Sequence, residues 1–142
     1  MRMKVSKIGD WGELQKRFGR LSAEYQEVVE AIRDRLAKKF VSSLMKNYKG
    51  KSIVTKEDEE EFQGIANRTF LGAIRIVPRA DGSVFAGIDR DFEIEGKSVI
   101  EFLKNKEFGV NGTNAVGIWR KSYRELKASV QKIANEEFSK LT

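Results

Sequence analysis

From Leu14 to Leu44, large apolar residues return every three or four positions: Leu14, Phe18, Leu21, Tyr25, Val28, Ile32, Leu36, Phe40 and Leu44. That spacing puts side chains on one face of an α-helix, whereas a strand would need every second residue. The opening part of the chain is therefore committed to one long amphipathic helix, whose apolar stripe must find cover. Asp10 can cap its start while Glu13, three residues on, reaches back, a capping-box pattern. Gly19 would loosen the helix, and Ser22 could cap a second segment there. The pattern fades at Asn47-Tyr48-Lys49-Gly50, a C-terminal stop.

The cover comes from later elements. Residues 50–69 read as a loop with a helical turn or more, in which Thr55-Lys56-Glu57-Asp58 can cap a short acidic helix continued by Glu59, Glu60 and Glu61. Leu71 to Val77 and Ser83 to Ile88 flank a turn containing Asp81-Gly82, which predicts a hairpin. Pro78 would sit badly in a paired interior position, so the first strand is expected to end or bulge there. A third strand is expected over Asp91–Glu95, closed by Gly96, with Phe92 and Ile94 on one side and three carboxylates on the other. Ser98 can cap a short helix containing Val99, Ile100, Phe102 and Leu103. Glu107 to Asn114 reads as loop, and a last helix starts near Trp119 with a stripe of Trp119, Tyr123, Leu126, Val130, Ile133 and Leu141. The expected class is α+β in one domain over 1–142: a long N-terminal helix and a C-terminal helix packed on a small antiparallel sheet of about three to four strands.

Composition narrows the chemistry. The chain has no Cys and no His, which removes thiolate ligands, disulfides, the usual base near neutral pH and every Ser-His or Cys-His pair. No cofactor, metal site or catalytic group is assigned. No apolar run is long enough to cross a bilayer and no apolar segment follows the basic start, so neither a membrane span nor a signal peptide is expected. The net charge of +6 is segregated: residues 1–51 carry 13 Lys and Arg against 6 Asp and Glu, residues 52–101 carry 6 against 11, and residues 102–142 carry 8 against 4. Basic ends around an acidic centre let identical subunits attract through unlike patches, and solvated faces of ordinary helices explain them equally well.

Short motifs add little. Gly50-Lys51-Ser52 and Gly96-Lys97-Ser98 lack the glycine that a phosphate loop needs five residues earlier, where Met45 and Asp91 stand. Asp89, Asp91 and Glu93 begin like a calcium loop, but Ile94 and Ile100 occupy its essential glycine and glutamate positions. Ser43-Leu44-Met45-Lys46 fits a Ser-x-x-Lys pattern without partner motifs. Trp119-Arg120-Lys121-Ser122-Tyr123-Arg124 mixes rings and cations as single-strand binders do, yet Trp119 and Tyr123 fall on the stripe that the last helix should bury. Core packing is the better account of the two rings. Arg120, Lys121 and Arg124 remain free to face solvent or a partner.

Several landmarks follow one another in order: Ile8-Gly9-Asp10-Trp11, Val41 to Asn47, Arg68 to Ile76, Val84-Phe85-Ala86-Gly87-Ile88, and Lys106-Glu107-Phe108-Gly109. In that arrangement the chain resembles the tail-completion (neck) proteins of tailed bacteriophages, also labelled phage virion morphogenesis proteins. It departs from them in having no proline between Val110 and Ile118 and in its acidic run at 57–61. The resemblance implies a non-enzymatic virion subunit, assembled in the host cytoplasm, that forms a cyclic ring by self-association. Its neighbours would be portal, adaptor or head-completion proteins on one side and tail-tube or terminator proteins on the other, with genome DNA passing through the channel without sequence-specific binding. Partner contacts are expected from the loops at 50–67 and 107–118, and in particular from Glu107, Phe108, Gly109, Asn111, Arg120 and Lys121. The alternatives are a tail terminator, or a nucleic-acid-binding module that uses the basic termini.

Overall fold

The computed structural model describes residues 23–62, 65, 69–109 and 116–141. The expected caps at Asp10 and Ser22 lie outside these residues, as does Gly19. Helix α1 runs Ala23–Lys49, and Val28, Ile32 and Leu44 of its stripe are buried while Leu36 and Phe40 are half-buried. Each such aliphatic, when fully buried, contributes about 1.5–3 kcal/mol relative to exposure. At the end of α1 the Gly50 amide donates to the Lys46 carbonyl (3.0 Å). Helix α2, Lys56–Glu61, has the reciprocal cap that its sequence offers: the Asp58 amide donates to Thr55 Oγ1 (3.1 Å) and the Thr55 amide to Asp58 Oδ2 (2.8 Å).

The hairpin begins later than its apolar run. Thr69–Ala73 forms a 3-10 turn, and β1 spans Ile74–Pro78 only. Gly72 and Ala73 have little preference for strand, Phe70 and Ala73 are buried by the turn, and the Arg75 guanidinium holds the Gly72 carbonyl (3.1 and 3.3 Å). β1 pairs antiparallel with β2, Val84–Ile88, with Ile74 opposite Ile88 and Pro78 opposite Val84. Bonds from the Arg79 amide to the Ser83 carbonyl and from the Asp89 amide to the Ala73 carbonyl fix the alternation at the two ends of the ladder. Pro78 therefore falls in a non-hydrogen-bonded pair, where its missing N–H costs no ladder bond. Gly87, at φ 146°, occupies backbone that other residues rarely adopt and lies over the Phe40 ring of α1.

After β2 the Asp89 side chain accepts the Asp91 amide (2.9 Å) and its carbonyl accepts the Phe92 amide (3.2 Å), turning the chain away from the first hairpin. β3, Glu93–Ile94, consequently pairs forward with β4, Lys97–Ser98, so the four strands form two antiparallel pairs. Only Glu95 and Gly96 separate them, both with positive φ (53° and 78°), as a two-residue type I′ turn requires. Ser98 caps α3, Val99–Phe108, by accepting the Glu101 amide, and α4 runs Ile118–Phe138.

The molecule is α+β, as its sequence implies: two long helices with small antiparallel strand pairs. Its main core joins Leu44 and Tyr48 of α1 to Ile53, Phe62, Ile65, Phe70, Ala73, Ile74, Val99, Leu103 and Ile118. A second, smaller cluster unites Val28, Ile32 and Ile133. Asn47 meets Ser122 while Arg35 meets Glu136, so α1 and α4 run antiparallel. No described helix is long and apolar enough to cross a membrane.

Candidate partner-binding site

Five of the six expected contact residues come together at the corner between α3 and α4. Glu107, expected in an exposed loop, is instead in the last turn of α3 and only 5% exposed. Its carboxylate accepts the Trp119 amide through Oε1 (2.8 Å) and the Arg120 amide through Oε2 (3.2 Å). These are first-turn donors of α4, which have no partner inside their own helix. Gly117, the N-cap of α4, has no side chain to bind them. Glu107 thus acts as the cap of the next helix, with its negative charge at the positive end of the helix dipole. That engagement turns it away from solvent.

Phe108 follows, 61% exposed, with its ring edge-on to Trp119 (5.9 Å between centroids, 86° between planes). Gly109 ends α3 at φ 72° and donates to the Asn105 carbonyl (3.0 Å), while the Val116 amide returns to the Lys106 carbonyl (3.0 Å). Arg120 and Lys121 are exposed on the first turn of α4. Asn111 lies outside the described residues, as do all of residues 110–115 in the 107–118 segment. The other expected contact segment holds α2, whose Asp58 pairs with Lys106 of α3 (2.6 Å). Burial pushes the Asp58 carboxyl upward, but the Lys106 ammonium and the Thr55 bonds outweigh it, and the group titrates below its ordinary value.

The stripe expected on α4 is displaced by about one position. Ile118, Ser122, Ile133 and Glu137 are buried, whereas Tyr123 is 55% and Val130 40% exposed. Trp119 is half-buried and its Nε1–H donates to the Tyr48 hydroxyl (2.7 Å). Burial raises the Tyr48 phenol well above its ordinary value, against the opposing Trp119 bond.

Sequence reasoning missed the polar seam between α1 and α4. Asn47 Nδ2 donates to Ser122 Oγ (2.9 Å) and to Glu125 Oε1 (3.1 Å), and Lys46 pairs with Glu125 Oε2 (3.1 Å). The Asn47 amide, then the Lys46 ammonium, hold Glu125 below its usual range. At the far end Arg35 binds Glu136 (2.8 Å) and Glu137 (3.1 Å), and Lys140 also reaches Glu137 (2.8 Å). Lys140, then Arg35, hold Glu137 low. The signal was present: Ile118, Ser122, Glu125, Ser129 and Ile133 also recur at threes and fours.

The remaining motifs resolve into ordinary structure. Ser43 is buried on the seam, with Lys46 committed to Glu125. Asp89 pairs with Arg75 (3.5 Å), and among the described residues no three acidic side chains are grouped to hold a metal ion. No family model matches the chain, and neither does any curated protein or solved structure.

Proposed function

We propose that the chain is a structural subunit of the tailed-phage neck, one copy in a closed ring between the portal or head-completion complex and the tail tube. The order of landmarks from Ile8 to Gly109 supplies the family reading. The observation that supports assembly is a pair of unlike apolar surfaces on separate elements. Ile76 of β1 is 37% exposed, with Val77 (38%) on the opposite face of the strand, and Val130 and Phe138 of α4 are 40% and 37% exposed. Subunits that join head to tail use two different patches, and such contacts close into a ring when the rotation per copy divides a full turn. β1 also pairs with one strand only among the described residues, so its outer edge carries open backbone groups at the exposed Ile76.

Imaging of an intact particle tests the assignment directly, and light scattering on the purified protein tests self-association. Density for this fold in a ring at the head–tail junction is the expected result. A particle whose neck lacks the chain sinks the proposal.

A further inference from the structure

The outer face of α4 carries a charge pattern that the core does not use. From Ile118 to Asn135 the helix holds Arg120, Lys121, Arg124, Lys127 and Lys132 against a single acid, Glu125. Glu125 faces the seam, where Lys46 and Asn47 bind it. Arg120, Arg124 and Lys127 are four and three residues apart and so share one side of the helix, with Lys121 on its flank. All four are exposed, and among the described residues none forms an ion pair. Beside them stand two rings that the core leaves out. Tyr123 has the Lys127 ammonium 5.7 Å from its centre, and Phe108 lies edge-on to Trp119.

We infer that this face binds single-stranded nucleic acid, the cations taking the phosphates and Tyr123 and Phe108 the bases. The cations lie about one helical turn, roughly 5.4 Å, apart, a spacing that a flexible polyphosphate chain can follow. Among the described residues they have no carboxylate partner, which leaves them open to a polyanion whose condensed counterions phosphate contacts would release. The rings decide which one. An acidic peptide satisfies the cations and leaves the rings wet, and a duplex keeps its bases stacked within itself. Unpaired bases stack on aromatic side chains whatever their sequence. The inference stands apart from ring closure, since it uses neither β1 nor Val130 and Phe138, but it takes Phe108, Arg120 and Lys121, which the resemblance gives to contacts with neck partners.

Fluorescence anisotropy of a labelled oligothymidine with the full chain, across a salt series, tests it. A duplex of equal length and a polyglutamate competitor serve as the other arms. Binding should weaken with salt, and the triple variant R120A/R124A/K127A should flatten the log–log slope by about 2, at roughly 0.7 per phosphate contact. Tyr123→Ala should weaken single-strand binding about fivefold or more, and Tyr123→Phe should retain it. Circular dichroism of each surface variant confirms that the fold persists. The inference is overturned by absent binding at low salt, by equal single-strand and duplex affinity with Tyr123→Ala silent, or by displacement of the oligonucleotide by an equivalent of polyglutamate. None of those results bears on whether the chain sits in a neck ring.

Discussion

With Gly117 at its N-cap in the left-handed region, α4 has no side chain of its own to bind its first amides, and Glu107 does so from the neighbouring helix. Glu107→Ala should therefore lower the unfolding free energy by about 1–3 kcal/mol, combining a lost cap with buried amides left unpaired. Glu107→Gln keeps one acceptor and should cost less. Urea denaturation of the three proteins checks the order, and an alanine variant as stable as the parent removes the capping role. Glu95 presents the opposite case: a branchless but bulky side chain held at φ 53°. Glu95→Asn should stabilise the protein by up to about 1 kcal/mol, read as a rise in the same denaturation midpoint, because asparagine tolerates the left-handed region. Gly87→Ala should destabilise by about 1–3 kcal/mol, since an alanine at φ 146° is strained even though the space beside Phe40 accepts a methyl group.

At the scale of elements, what could be read from the sequence depended on whether apolar spacing alone decided burial. It did for α1, where Val28, Ile32 and Leu44 are inside, and local chemistry decided α2, where Thr55 and Asp58 cap each other. On α4 it did not. Trp119 and Tyr123 drew the expected stripe toward themselves, but a tyrosine that can keep a wet face beside Lys127 has no need of the core. Small Ser122 fits against α1 where a ring would not, and its hydroxyl is satisfied by Asn47. The corner residues divide in the same way: Glu107-Phe108-Gly109 were recognisable as a landmark, while the long-range partner that fixes Glu107 could not be read from one chain segment. Asn47→Ala should cost about 1–3 kcal/mol by leaving Ser122 and Glu125 short of a donor. The seam, together with the Asp58–Lys106 pair between α2 and α3, also sets the acid limb of stability. Asp58, Glu125 and Glu137 all titrate below their unfolded values, so their contribution is complete above about pH 4–4.5 and is lost as pH falls through the lower folded values. Thermal unfolding followed from pH 7 to pH 2.5 should show the midpoint level at first and then falling. Tyr48 sets the alkaline limb with the opposite sign: stability should decline once pH exceeds about 10, where the unfolded phenol ionises and the folded one does not.

Across the molecule's described residues, the large exposed apolar side chains other than Phe108 and Tyr123 sit on β1 and on the distal half of α4, and the α4 cations that form no ion pair among those residues lie on its proximal half. Ile76→Asp and Val130→Asp, each on a different surface, should therefore both block assembly while leaving the monomer folded, and mixing the two variants should restore a single interface and yield dimers. Light scattering reads that outcome, and a ring that survives either change removes its patch from the interface. The two ends of α4 are also held differently. Ile118 belongs to the large core, whereas Ile133 packs in the smaller cluster with Val28, Ile32 and the partly buried Leu36, Ala134 and Leu141, supplemented by the partly exposed Arg35 ion pairs. Ions in solution weaken such pairs and leave apolar burial intact. Deuterium uptake in concentrated salt should thus quicken across Gln131–Phe138 and stay slow across Ile118–Glu125, marking a helix anchored at one end and tethered at the other.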